Sequence, residues 1–249
     1  MSALVAALIA IVTVVPGAGG VAVAAGADYP AGFEAYHTYA EMEAAIDAAV
    51  ATQPTLVHKF SIGQSYEGRE IWAVKISDQA AVDEHEPEVM FECGIHAREH
   101  LTTEMCLYVL RLLTEGYGLD PRITDAVDRT ELYLIPLLNP DGAEFDIASG
   151  AFASWRKNRQ PVPGSTEVGV DLNRNYGFNW RCCKGGSDNP ARETYRGWAP
   201  WVAPEVAAHR PPGRRRSRGG RRPRVRPRPP SRGRSRAPGC RCLPCSSAN

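Results

Sequence analysis

Residues 86–116 read EPEVMFECGIHAREHLTTEMCLYVLRLLTEG, and this stretch decides the fold. Glu88 to Ile95 is a short, mostly apolar run bounded by Pro87 and Gly94, which reads as a buried strand. From Glu99 to Leu113, the residues Leu101, Met105, Tyr108, Val109 and Leu112 recur at spacings of three and four, the pattern of an apolar helix face. His96-Ala97-Arg98-Glu99 lies between them, at the carboxyl end of the strand and the start of the helix, where sites form in open α/β sheets. An imidazole and a carboxylate three residues apart across such a turn can converge on one point. With Arg98 beside them, they have the chemistry of two zinc ligands and an anion clamp. Taken alone, His-x-x-Glu recurs by chance, and the competing reading is a surface His with a Glu favouring the helix dipole.

Upstream, Tyr36 to Val50 reads as a helix capped by Thr38, with Met42, Ala45, Ile46 and Ala49 as its buried stripe. Val57 to Ile62 and Glu70 to Ile76 flank the turn-forming Glu67-Gly68 and read as a hairpin. Ser77 to Glu88 is a loop dense in acid, either solvated or a site for a hard cation held by oxygen donors. Downstream, Pro121 to Arg129 reads as a helix and Glu131 to Leu138 as a strand that Asn139-Pro140-Asp141-Gly142 ends in a turn. Ala143 to Pro163 reads mostly as loop, and Gly169 to Leu172 as a short strand. Strands alternating with helices imply an α/β fold, a mixed sheet with helices on both faces.

Motifs in order add to this frame: YEGREIWAVKIS from Tyr66, NPDG from Asn139, WRKNRQ from Trp155, DLNRNY from Asp171 and ETYRG from Glu193. On these residues, from about Tyr36 to about Ala208, the chain resembles the zinc metallocarboxypeptidases, and most closely the secreted bacterial carboxypeptidase T type. The resemblance implies that His96 and Glu99 are two of three zinc ligands and that Arg156 stabilises the oxyanion. Asn173 and Arg174 would hold the substrate's terminal carboxylate, and Arg98 would assist along the approach. It also implies calcium in the acidic loop, at Asp83, Glu84, Glu86 and Glu88. The expected partner is a peptide or protein with a free C-terminus, and a monomer is expected. Past Ala208 nothing matches the family's third zinc ligand, its closing tyrosine or its general-base glutamate, so the chain as written is expected to be inactive, with a non-catalytic binder of peptide C-termini through Arg98, Asn173 and Arg174 as the alternative.

The formal charge of +1 averages two unlike regions. Residues 210–249 hold 14 Arg and no acid, against 15 basic and 28 acidic residues before them. That Arg/Pro-rich tail cannot bury a core and is expected to be disordered. Its composition is that of G- and C-rich codons, so a shifted reading frame is the favoured origin. A real basic tail that binds nucleic acid is the alternative, weakened by the lack of any aromatic residue to stack on bases. Residues 1–25 are apolar and small, and the uncharged run is short for a membrane span of about 20 residues. Ala22-Val23-Ala24 suits a signal-peptidase site, so a secretory signal is the better reading, although no Lys or Arg precedes the run. A membrane anchor or a misassigned start is the alternative. Residues 29–209 would then be a partial catalytic domain of a secreted, extracellular protein. Cys93 and Cys106 are expected to serve packing, and a disulfide from Cys182 or Cys183 is plausible by composition alone.

Overall fold

A computed structural model describes residues 36–182 and 184–209. The apolar N-terminal segment, the basic tail and Cys183 lie outside the described residues. Helix α1 (Tyr39–Thr52) opens on a capping box, in which Thr38 accepts from the Glu41 amide while the Glu41 carboxylate accepts from the Thr38 amide. Strands β1 (Val57–Gln64) and β2 (Glu70–Ile76) form the expected antiparallel hairpin. Strand β3 (Glu88–Glu92) leads through the His96 turn into α2 (His100–Gly116). Helix α3 (Pro121–Val127), strand β4 (Glu131–Ile135), helix α4 (Pro140–Ile147), a 3-10 turn over Leu172–Arg174 and α5 (Pro204–Ala208) follow.

The sheet is mixed, in the order β1-β2-β4-β3, with β3 parallel to β4. Period-two alternation divides β2 between two cores. Val74 and Ile76 pack with Met42, Ile46, Leu107, Leu110 and Leu134 beneath α1 and α2. Ile71 and Ala73 pack with Leu138, Leu172, Ala203 and Val206 beneath α5 and the 3-10 turn. Helical segments thus cover both faces, as the alternation of elements implies.

Several expectations are corrected. The α2 stripe that looks most apolar faces solvent, with Leu101 59% exposed and Met105 50% exposed. The buried face is Thr103, Cys106, Leu107, Leu110 and Thr114. Its two threonines are tolerated because Thr114 donates back to the Leu110 carbonyl and Thr103 packs against Gly94. Strand β3 is an exposed edge, not a buried strand. The NPDG turn is in fact the start of α4, with Asn139 Oδ1 capping the Gly142 amide at 3.1 Å and Pro140 in the first turn, where its missing N–H costs nothing. Gly169 to Leu172 forms no strand; nearby, only an isolated bridge joins Pro161 and Val168. Cys93 and Cys106 are bonded to each other rather than merely packed.

Buried under the acidic loop, Lys75 Nζ lies 2.5 Å from Glu131 Oε1 and also donates to the Val82 carbonyl. The lysine, helped by the Glu84 amide and against the cost of burial, holds the Glu131 carboxyl below its usual range. The pair therefore contributes stability above the ordinary carboxylate pKa and loses it as pH falls through the lowered one. Lys75→Met leaves a buried, unpaired carboxylate and is expected to cost about 3–5 kcal/mol at pH 7 in chemical denaturation. The deficit should narrow as pH falls, because the buried Glu131 of the variant, without its lysine, takes up a proton at higher pH than the parent's does.

Candidate active site

The His96 turn is held at its base by Gly94, whose φ of +62° and contact with Leu137 leave no room for a side chain. The Gly94 amide donates to Thr102 Oγ1 at 2.9 Å, and that hydroxyl donates to the Glu99 carbonyl at 2.7 Å. Glu99 occupies the cap position of α2 but makes no capping bond. Its Oε1 instead lies 3.0 Å from His96 Nδ1 and 4.0 Å from Arg156 Nη1. Two atoms bound to one tetrahedral zinc at about 2.0–2.2 Å stand roughly 3.4 Å apart, so this donor pair fits a shared metal.

The other face of the imidazole meets Asp171. His96 Nε2 lies 3.3 Å from Asp171 Oδ1, at ion-pair distance but outside hydrogen-bond alignment. Asp171 is fully buried. Arg156 reaches Asp171 Oδ2 with Nε at 3.2 Å and Nη2 at 3.1 Å. Burial pushes the Asp171 carboxyl up, but His96 and Arg156 outweigh it and hold the group below its ordinary range. An anionic carboxylate behind the imidazole is the partner that orients a metal-ligating histidine.

Asp171 also builds the neighbouring turn. Its Oδ1 accepts from the Asn173 amide at 3.1 Å, which starts the 3-10 turn presenting Asn173 and Arg174. The Arg174 guanidinium is braced by the carbonyls of Gly185, at 2.8 Å from Nε, and Asn173, at 3.0 Å from Nη1. It lines a cavity of about 230 Å³ with Asn173, Tyr176, Trp180 and Arg196. Arg98 is engaged elsewhere: Nη1 and Nη2 fork onto Glu193 at 2.8 and 3.1 Å, and Nη1 also donates to the Ser154 carbonyl.

The structure therefore brings His96, Glu99 and Arg156 together and sets Asn173 and Arg174 on the adjoining turn. Two residues quoted within motifs but given no role, Asp171 and Glu193, are the carboxylates that organise these cations. The sequence signal for Asp171 was an acid between apolar Val170 and Leu172. The calcium expectation is not supported: among the described residues, no group of three His, Cys, Asp or Glu side chains could hold a metal ion. Asp83 and Glu88 point into solvent, and Glu84 is spent on Ser77, 3.0 Å away, and Gln79, 2.9 Å away. Burial and the nearby Glu84, Asp78 and Glu131 raise the Glu86 carboxyl against the opposing pull of Lys75.

Residues 42–214 match the model of a family described as zinc carboxypeptidase. A zinc carboxypeptidase of Saccharothrix mutabilis subsp. capreolus is 52% identical over 156 residues, covering 63% of this chain and 36% of that protein. Carboxypeptidase A1 of Sus scrofa is 39% identical over 176 residues, covering 70% and 40%. A crystal structure of thrombin activatable fibrinolysis inhibitor superimposes with a TM-score of 0.65 at 32% identity, covering 70% of this chain and 42% of that one. The chain thus spans about two fifths of the length of the relatives it matches.

Asp171→Asn keeps the shape of the hub but removes its charge. Competition with a chromogenic chelator should show zinc affinity about 10- to 100-fold weaker than in the parent. Unchanged affinity would mean that Asp171 does not orient His96.

Proposed function

Since the chain belongs to the zinc carboxypeptidase family, we propose that it carries the metal-holding and carboxylate-holding parts of an exopeptidase site. The reaction is removal of C-terminal residues from peptides and proteins. One observation carries this reading: a single buried carboxylate, Asp171, contacts His96 and Arg156 and caps the turn bearing Asn173 and Arg174. Metal ligand, oxyanion cation and carboxylate anchor are thereby tied to one point.

In this reading His96 and Glu99 would hold zinc, with the Asp171 carboxylate 3.3 Å from the imidazole's other nitrogen as its supporting anion. Zinc, when bound, polarises the scissile carbonyl and lowers the pKa of a bound water. Arg156, at 4.0 Å from Glu99, would offset the charge that develops on the carbonyl oxygen, an electrostatic role worth several kcal/mol where water is excluded. Arg174 and Asn173 take the substrate's terminal carboxylate, a role that suits a planar, permanently charged guanidinium. Arg98 reaches substrate by exchanging Glu193 for the incoming carboxylate.

Residues 29–209 are read as part of a catalytic domain. Secretion is the favoured localisation, because a disulfide persists in oxidising compartments, and the cleavage-like Ala22-Val23-Ala24 agrees with it. Within the described residues the metal would have two protein ligands, where catalytic zinc sites use three.

For the 249-residue polypeptide, equilibrium dialysis should therefore show weak zinc binding that His96→Ala abolishes. Without a matched general base, which alone contributes about 10²- to 10⁴-fold, its release of C-terminal residues from blocked dipeptides should fall below detection. Joining residues 29–209 to the later half of the Saccharothrix mutabilis relative should yield chelator-sensitive release, and Arg174→Ala should raise KM in that chimera. Chelator-sensitive turnover by the polypeptide alone would overturn the assignment of two ligands and no base. A chimera that folds and binds peptides without cleaving them would favour a peptide-end binder.

A further inference from the structure

The Cys93–Cys106 disulfide encloses the segment that contains His96, Arg98 and Glu99. Cys93 directly follows edge strand β3 and is fixed there on both sides: its amide donates to the Ile135 carbonyl at 2.9 Å, and its carbonyl accepts from the Leu138 amide at 3.0 Å. Cys106 is buried within α2, on the face that also carries Leu107 and Leu110 into the core. The bond therefore joins a sheet-anchored point before the turn to a core-anchored point after it.

Within that loop the backbone is tied at several points: the Gly94 carbonyl accepts from the Asn139 amide at 3.0 Å and the Ile95 carbonyl from Asn139 Nδ2 at 3.4 Å. The Ala97 amide donates to the Arg156 carbonyl at 3.2 Å and the Glu99 amide to the His96 carbonyl at 3.1 Å, while Gly94 is held by Thr102. Among the described residues strand β3 has no neighbour beyond β4, and its Val89, Met90 and Phe91 side chains are exposed. His96 and Ala97 are buried, whereas Glu99 and the strand ahead of the turn are largely exposed.

We propose that Cys93 and Cys106 are positioning residues for the metal-binding turn: their bond holds the His96 and Glu99 donors at a shared separation before any metal arrives. The proposal rests on the reading of His96 and Glu99 as zinc ligands. The bond acts through the backbone it closes, since neither sulfur is a metal ligand while bonded to the other. A constrained turn loses less freedom when the metal binds, which is how preorganisation raises affinity. The rest of the fold depends on the bond much less, because α2 remains packed through Leu107 and Leu110 against α1, β2 and β4.

The test compares the full chain with Cys93→Ala/Cys106→Ala by amide hydrogen exchange without metal. Protection at Ala97 and Glu99 should fall by about tenfold or more, while that at Val74 and Ile76 in β2 stays as in the parent. A Cys93→Ser/Cys106→Ser variant, closer in shape, should give the same pattern if the first proves poorly soluble. Equal loss in turn and sheet would make the bond a general brace, and unchanged turn protection would make it idle; either result overturns the proposal. Zinc titration by chelator competition should then show about 10- to 100-fold weaker binding in the variant, the range typical of lost supporting contacts. If the parent binds no zinc, the metal reading fails while the exchange data still decide whether the disulfide positions the turn. Equal zinc affinity in parent and variant would overturn its role in metal binding.

Discussion

Asp171 is a carboxylate wholly removed from water, and the site is built around meeting that charge. A buried anion is tolerated only where cations and donors surround it. Here they are the His96 imidazole, the Arg156 guanidinium and the Asn173 amide. Each comes from a different segment: the turn after β3, the loop after α4, and the 3-10 turn. Satisfying one charge therefore brings the turn after β3 and the loop after α4 to the 3-10 turn that Asp171 itself starts.

A second buried carboxylate supports the first from beneath. Glu205, at the start of α5, accepts from Asn158 Nδ2 at 2.8 Å and from the Tyr66 amide at 3.2 Å. Asn158 Oδ1 in turn accepts from the Val170 amide at 2.8 Å, the residue before Asp171. Burial raises the Glu205 carboxyl against these hydrogen bonds. The chain from Arg156 to Asn175 carries little regular structure, so side chains such as Asn158 and Asn175 do the work that a strand ladder would do elsewhere. Asn175 Nδ2 bridges the carbonyls of Arg196 and Ala199 at 2.8 and 2.9 Å, closing the following loop in the same way.

Much of this was legible in the sequence where periodicity is strong. The Thr38 cap and Met42–Ile46 stripe, the β1–β2 hairpin and the strand of β4 follow from spacing and turn residues. His96, Glu99 and Arg156 were legible through motif order, and they do converge. The buried side of α2 is not, because spacing ranks residues by hydrophobicity and cannot see that a disulfide and the back-bonded Thr114 lie on the other face. The exposure of β3 was likewise hidden, since an apolar run reads the same at the centre of a sheet and at its edge. Asp171 is less legible as a hub, because its one sign of burial is the pair of apolar neighbours, Val170 and Leu172, in a short motif. The acidic loop errs in the opposite direction: carboxylates near one another in sequence suggest a cation, whereas Asp83 and Glu88 are exposed and Glu84 meets Ser77 and Gln79.

The central claim is that the His96–Glu99 turn is a preformed metal-binding half-site, oriented from behind by Asp171. Anomalous diffraction at the zinc edge, from crystals of the chain soaked in zinc, tests it most directly. The account predicts a peak about 2.0–2.2 Å from both His96 Nδ1 and a Glu99 carboxylate oxygen, with His96 Nε2 still facing Asp171. A peak on the Nε2 side of the ring, or ordered zinc elsewhere with none at this turn, would contradict it.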